Sequence, residues 1–141
     1  MFNGELEKKL FELLNHDNNP LQEVQKLSQG ENGILKTLLI YEDLIQEDVT
    51  PGDLCRVQHL TSGRVASTLK SLEQKEYIER KTDKSDRRRI LIKLTKMGKK
   101  MATTIFNRIK EQIKAITDKL NEQEIKEFIR LLKIINGELE L

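Results

Sequence analysis

Apolar residues recur every three or four positions over most of the chain, the period of an α-helix packed by one face. Leu6, Leu10 and Leu13 share such a face within about residues 4–15, with Phe2 just ahead, and the segment HDNNP then breaks that helix. Pro20, suited to a first helical turn, opens a short piece carrying Leu21, Val24 and Leu27. Ser28 and Glu31 have the S-x-x-E spacing of a capping box, in which each side chain satisfies a free backbone N–H. Ile34, Leu35, Leu38, Leu39 and Ile45 follow at helical spacing, to an end near Gln46. Thr50, Pro51 and Asp53 predict the next start, of a short helix holding Leu54 and Val57. After a turn at His59, Thr61 caps a helix from about Ser62 to Gln74. Its buried stripe is Val65, Leu69 and Leu72, and Ser62, Gly63, Arg64, Ala66, Ser67, Lys70 and Ser71 are left outside.

The period then changes. Tyr77–Thr82 and Arg89–Thr95 alternate as strands around the charged turn DKSDRR. Thr95 caps a long helix striped by Met97, Met101, Ile105, Ile109, Ile113, Ile116 and Leu120. Asn121 and Glu124 form another capping box, opening a last helix with Ile125, Phe128, Ile129, Leu132 and Ile135, which Gly137 ends. The expected fold is therefore mainly α with a small β-hairpin wing, a winged helix-turn-helix with terminal dimerisation helices. A chain of 141 residues suits a single domain. Residues 1–27 and 100–141 would supply the dimerisation helices, whose apolar stripes are wider than monomer packing requires, and residues 28–99 the winged lobe.

Charge sharpens this picture. The net charge of +2 says little, but Arg56 to Lys100 holds fourteen Lys/Arg against five Asp/Glu, a net +9, while the rest holds eleven against eighteen, a net −7. A basic middle between acidic ends implies a polyanion on one side of the fold, against the alternative of a merely solvated face. In helix-turn-helix proteins the second helix enters the major groove. Here it offers Thr61, Ser62, Gly63, Arg64, Ser67 and Lys70, where small residues permit close approach and Arg64 suits a bidentate contact to guanine. The capping hydroxyl and free N–H groups at Thr61 to Gly63 suit a phosphate. The wing tip offers Lys84, Asp86, Arg87, Arg88 and Arg89 for phosphates or a narrow minor groove. Two readings of the arginines stand: Arg88 is the groove residue with Asp86 holding the wing in shape, or all three are interchangeable counter-charges. Stacking aromatics are missing at the tip, against single-strand binding.

Other classes find little support. No run of about 18 apolar residues predicts a membrane span, and MFNGELEKKL lacks the apolar core of a signal peptide, so a cytoplasmic location is expected. Only His16 and His59 are present, and no nucleophile, paired-carboxylate or phosphate-loop motif stands out, so no catalytic residues, cofactor or metal site are expected. One cysteine, Cys55, excludes an internal disulfide; beside Leu54 and Val57 it reads as a small buried residue, with redox sensing as its rival role. A winged-helix protein–protein adaptor and a metal-responsive regulator also compete with the DNA-binding reading, and the +9 block and arginine-rich wing disfavour the adaptor.

The stretch LEQKEYIERKTDKSDRRRILIKLTKMGKK resembles the wing region of the MarR family of bacterial transcriptional regulators. Leu72, Glu73, Arg80, Asp86, Arg88, Leu94, Thr95 and Gly98 occupy the places of that family's Leu-Glu pair, first-strand Arg, Asp-x-Arg wing and Leu-Thr-x-x-Gly close. The upstream TPGDLCRVQHLTSGRVASTLKSL is similar to the family's helix-turn-helix, so the likeness is specific from about Thr50 to Gly98 and architectural outside it. The chain departs from the pattern at Glu76 and His59, where the family usually or often has Gly, and at Gly63, unusual near the start of a recognition helix. The resemblance implies an obligate homodimer with interlocked terminal helices on a pseudo-palindromic double-stranded operator. It also implies repression released by a small amphipathic or aromatic effector, in a pocket whose residues the sequence does not name.

Overall fold

Capping chemistry sets several helix starts. In the computed structural model, which describes residues 1–138, the Asp53 carboxylate accepts from the Thr50 N–H at 3.0 Å and the Thr50 hydroxyl accepts from the Asp53 N–H at 3.2 Å. This reciprocal pair opens α4 (Pro51–Gln58), with Pro51 at its first position. The Asn121–Glu124 pair opens α7 (Glu122–Ile135) in the same way, at 3.0 and 2.8 Å. Thr61 caps α5 (Ser62–Gln74) through its hydroxyl, 3.1 Å from the Arg64 N–H. The other elements are α1 (Glu5–Leu14), α2 (Pro20–Leu27), α3 (Gly30–Ile40), β1 (Ile78–Thr82), β2 (Ile90–Leu94) and α6 (Lys96–Thr117). Past α3 the chain makes one wider, π-helical turn at Tyr41–Ile45, closed by the Gln46 N–H on the Tyr41 carbonyl at 2.7 Å, and Gln46 then turns left-handed.

The described residues fall into two compact units, Gln25–Ile109 and Met1–Val24 with Lys110 onward. The larger unit holds the fully buried side chains Ile34, Leu35, Leu38, Val49, Leu54, Val65, Leu69, Leu72 and Ile92. Its wing pairs β1 with β2 antiparallel, from Ile78 opposite Leu94 to Thr82 opposite Ile90. One further bond, Ile92 N–H to the Val49 carbonyl at 2.8 Å, ties β2 to the chain just before α4. In the smaller unit neither α1 nor α7 buries a residue: Leu6, Leu10, Phe11, Leu13 and Leu14 of α1, and Ile129, Leu131, Leu132 and Ile135 of α7, all stay exposed. No described helix is long and apolar enough to cross a membrane.

Three local expectations need correction. The Ser28–Glu31 capping box does not form: Gln29 is the residue before α3, without a side-chain cap, and Glu31 turns to other partners. Val57 lies in α4 as expected and is exposed there. The buried face of α6 runs through Gly98, Ala102, Ile105 and Ile109, one position on from the exposed Met97 and Met101. Leu120 lies past the end of α6. The methionine stripe fails at the wing root because the backbone approaches α6 so closely there that only glycine fits.

Candidate nucleic-acid interface

The helix-turn-helix is α4, a tight turn and α5. His59 makes the turn with φ +53°, and the Leu60 N–H returns to the Cys55 carbonyl at 3.0 Å. Left-handed backbone favours glycine, so the departure from the MarR pattern at His59 changes the side chain and keeps the turn. Glu76, after α5, has φ +62° for the same reason. Gln58 fixes α4 on α3: its amide donates to the Thr37 hydroxyl at 2.7 Å and the Gly33 carbonyl at 3.2 Å.

Val65, Leu69 and Leu72 face the core from α5, while Thr61, Ser62, Gly63, Arg64, Ser67 and Lys70 are all exposed. Space around Gly63 is open, with nothing within 4 Å of where a Cβ would stand. The Ser67 and Thr68 hydroxyls donate to the Arg64 carbonyl at 3.1 and 2.8 Å. Ser71 does not belong to this outer face: it is half-buried, and its hydroxyl donates to Glu31.

The wing tip is held by Asp83, a residue that no sequence motif marks. It is buried, and its carboxylate accepts from the Ser85 N–H at 3.0 Å, the Ser85 hydroxyl at 2.8 Å and the Arg89 guanidinium at 3.1 Å. These donors, the Ser85 backbone first, hold its carboxyl below the usual aspartate value. The Asp83 N–H and the Arg89 carbonyl meet at 2.9 Å, closing the hairpin. Asp86 accepts from the Arg88 N–H at 3.1 Å, and the Arg88 guanidinium stands 3.7 Å from it with the side chain 96% exposed. The three arginines therefore differ. Arg89 braces the wing, Arg88 projects into solvent, and Arg87 has no ion pair among the described residues. The signal for Asp83 was its place six residues before Arg89, across a turn of Ser and Asp.

The root of the wing is equally fixed. Arg80 of β1 pairs with Glu73 of α5 at 3.0 Å. The Thr95 hydroxyl donates to the Glu76 carbonyl at 2.6 Å and accepts from the Gly98 N–H at 3.0 Å. A Cβ on Gly98 would lie 1.8 Å from the Tyr77 carbonyl oxygen, so the motif glycine is a contact requirement. The segment before α4 holds the same junction: Glu42 accepts from the Leu94 N–H at 3.0 Å, Asp43 pairs with Lys99 at 3.0 Å and Asp48 with Lys93 at 2.6 Å. Elsewhere, His16 accepts locally from the Asn18 N–H, Cys55 is half-buried and free, and no cluster of three His, Cys, Asp or Glu suited to a metal occurs among the described residues.

The MarR-family model matches residues 42–89, from the π-helical turn to the wing tip. No curated protein matches the chain. Among solved structures, a Staphylococcus aureus MepR–DNA complex is similar at 25% identity and TM-score 0.69, covering 94% of this chain and 96% of that one. S. aureus MepR bound to ethidium bromide is similar at 26% identity and TM-score 0.62, with 94% and 96% covered. MepR described as a transcription regulator of the multidrug efflux pump MepA is similar at 25% identity and TM-score 0.65, with 94% and 98% covered. Motif, fold and family match agree along the helix-turn-helix and wing: over that stretch the chain is similar to the MarR family of transcriptional regulators, and its fold is similar to the winged helix-turn-helix of MepR.

Proposed function

We propose that the protein binds a specific, pseudo-palindromic double-stranded DNA operator as a homodimer, and represses transcription until a small amphipathic or aromatic molecule releases it. The observation that carries the DNA reading is the exposed polar half of α5 followed by a braced wing whose Arg88 projects freely. Arg64, Ser67 and Lys70 read base edges, Thr61 to Gly63 receive a phosphate, and the wing sets Arg88 in the minor groove with Lys84 and Arg87 on the backbone. Asp86 and Arg89 shape the wing rather than touch bases. The exposed apolar faces of α1 and α7 support the homodimer, because large exposed apolar patches mark interfaces. The effector reading rests on the likeness to MepR, a transcription regulator of a multidrug efflux pump whose structure is also known bound to ethidium bromide, MepR being the protein that holds it. Selection from a random duplex pool tests the core reading. An enriched inverted repeat with half-sites about one helical turn apart is expected; a pool that stays random overturns it.

A further inference from the structure

Glu31 stands in the first turn of α3, and its carboxylate reaches α5 instead of its own helix end. One oxygen accepts from the Ser71 hydroxyl at 2.5 Å and the other from the Lys75 ammonium at 2.7 Å. Ser71 is half-buried on the flank of α5, and Lys75, the exposed residue that ends the helix, stands one helical turn further on. The three buried residues of α5 are Val65, Leu69 and Leu72, an apolar stripe without directional bonds, and besides Glu31 the pair of Glu73 with Arg80 at 3.0 Å ties the helix to β1. The hydrophobic effect is not itself directional, so polar bonds add orientation to what packing holds. A roll of about 20° moves a side-chain tip at about 6 Å from the axis through about 2 Å, enough to break a bidentate base contact.

We infer that Glu31 is a positioning residue for sequence reading: through Ser71 and Lys75 it fixes the rotation of α5 and so aims Arg64, Ser67 and Lys70. Three features of the surroundings support this. Glu31 is half-buried, which strengthens its bonds relative to open solvent. Beside it, α3 is also fixed on α4 by Gln58 through Gly33 and Thr37, so the clamp joins α5 to an already anchored helix. A Cβ on Gly33 would stand 2.6 Å from Gln58 Oε1, so α3 and α4 lie in close contact at this point.

The inference rests on the DNA-binding reading, and charge alone predicts a different result, tighter binding with the ratio unchanged. Removing a carboxylate near a DNA-facing helix, and freeing Lys75, should tighten binding to any DNA. Loss of a positioning bond should instead weaken discrimination between sequences. The test compares the intact protein with Glu31→Gln and Ser71→Ala on two duplexes: the sequence that the intact protein enriches from a random pool, and a scramble of equal composition. Amide hydrogen exchange of α5 is followed in parallel. For Glu31→Gln, faster exchange in α5 is expected while α6 stays protected, with the affinity ratio of the two duplexes falling by about tenfold and scramble binding equal or tighter. Ser71→Ala, which keeps the ion pair, should lose a smaller part of the ratio. An unchanged ratio overturns the positioning role, whatever exchange shows, and unchanged α5 exchange overturns the clamp. Equal losses on both duplexes would mark a merely structural residue and also overturn the inference. If the intact protein enriches no sequence, the DNA reading fails and the inference with it; if it does and Glu31→Gln discriminates equally well, the inference alone falls.

Discussion

Three consecutive arginines at the wing tip have three different surroundings. Arg89 gives its guanidinium to buried Asp83, Arg88 gives only its backbone N–H firmly to Asp86, and Arg87 has no ion pair among the described residues. Arg88→Ala should cost about 1–3 kcal/mol of operator binding with the fold intact. Arg87→Ala should mainly lower the salt slope, by roughly one for a lost phosphate contact. Arg89→Ala should loosen the wing itself, visible as faster amide exchange at Ser85 before any DNA is added. A salt series on the selected duplex separates them; equal effects from all three would restore the interchangeable-charge reading. Asp83 adds a pH dependence. Its carboxyl titrates below the usual aspartate value when folded, so the brace is complete above the unfolded value of about 3.9 and is lost as pH falls through the lower folded one. The Ser85 amide resonance should therefore hold steady down to about pH 4 and shift only below it; movement near neutral pH would show that Asp83 does not hold it. The wing arginines could be found from the sequence, because charge shows in composition. Their division of labour could not, because it depends on which carboxylate the hairpin register brings opposite each one.

At the scale of elements, α4 and α5 were legible because local chemistry decides them. Thr50 with Asp53, and Thr61, cap backbone that lies within three residues in sequence. The same spacing misled at Ser28 and Glu31, because a partner 40 residues away competed for the carboxylate and won. A hydroxyl and an ammonium together outbid one backbone N–H for that group. The start of α6 shows the other kind of miss. Periodicity offered Met97 and Met101, yet contact with the Tyr77 backbone requires Gly98 inward and leaves both methionines exposed. Gly98→Ala therefore has nowhere to put its methyl group without moving the wing root or α6. The expected cost is about 1–3 kcal/mol in urea unfolding, the range for overpacking a close contact. DNA affinity should fall further than stability alone explains, since the wing shifts with its root. An alanine variant as stable as the parent would mean that the close approach relaxes freely.

At the scale of the whole molecule, the order of elements could be read from the sequence, whereas the surfaces left uncovered could not. The apolar period of α1 and α7 is the same whether a stripe packs inside one chain or against another. Only the fold shows that Leu6 is 86% exposed and Ile135 76% exposed within a single chain. Leaving such a surface in water is unfavourable by about 25 cal/mol per Å², and a second copy of the chain would cover it by the symmetric use of one patch. Substitution at Leu6 can separate the two possibilities. In a lone chain Leu6 is already in solvent, so Leu6→Asp should leave the fold almost untouched. In a dimer it would bury an unpaired carboxylate, a cost of at least about 2 kcal/mol for each of the two symmetric positions. Sedimentation should then show a dimer for the parent and a folded monomer for Leu6→Asp at micromolar concentration. The monomer should retain the circular dichroism of the parent, and its affinity for an inverted repeat should fall to that for a single half-site. A parent that sediments as a monomer, or a Leu6→Asp variant that stays dimeric, would remove α1 from the interface and leave the operator symmetry without a structural basis.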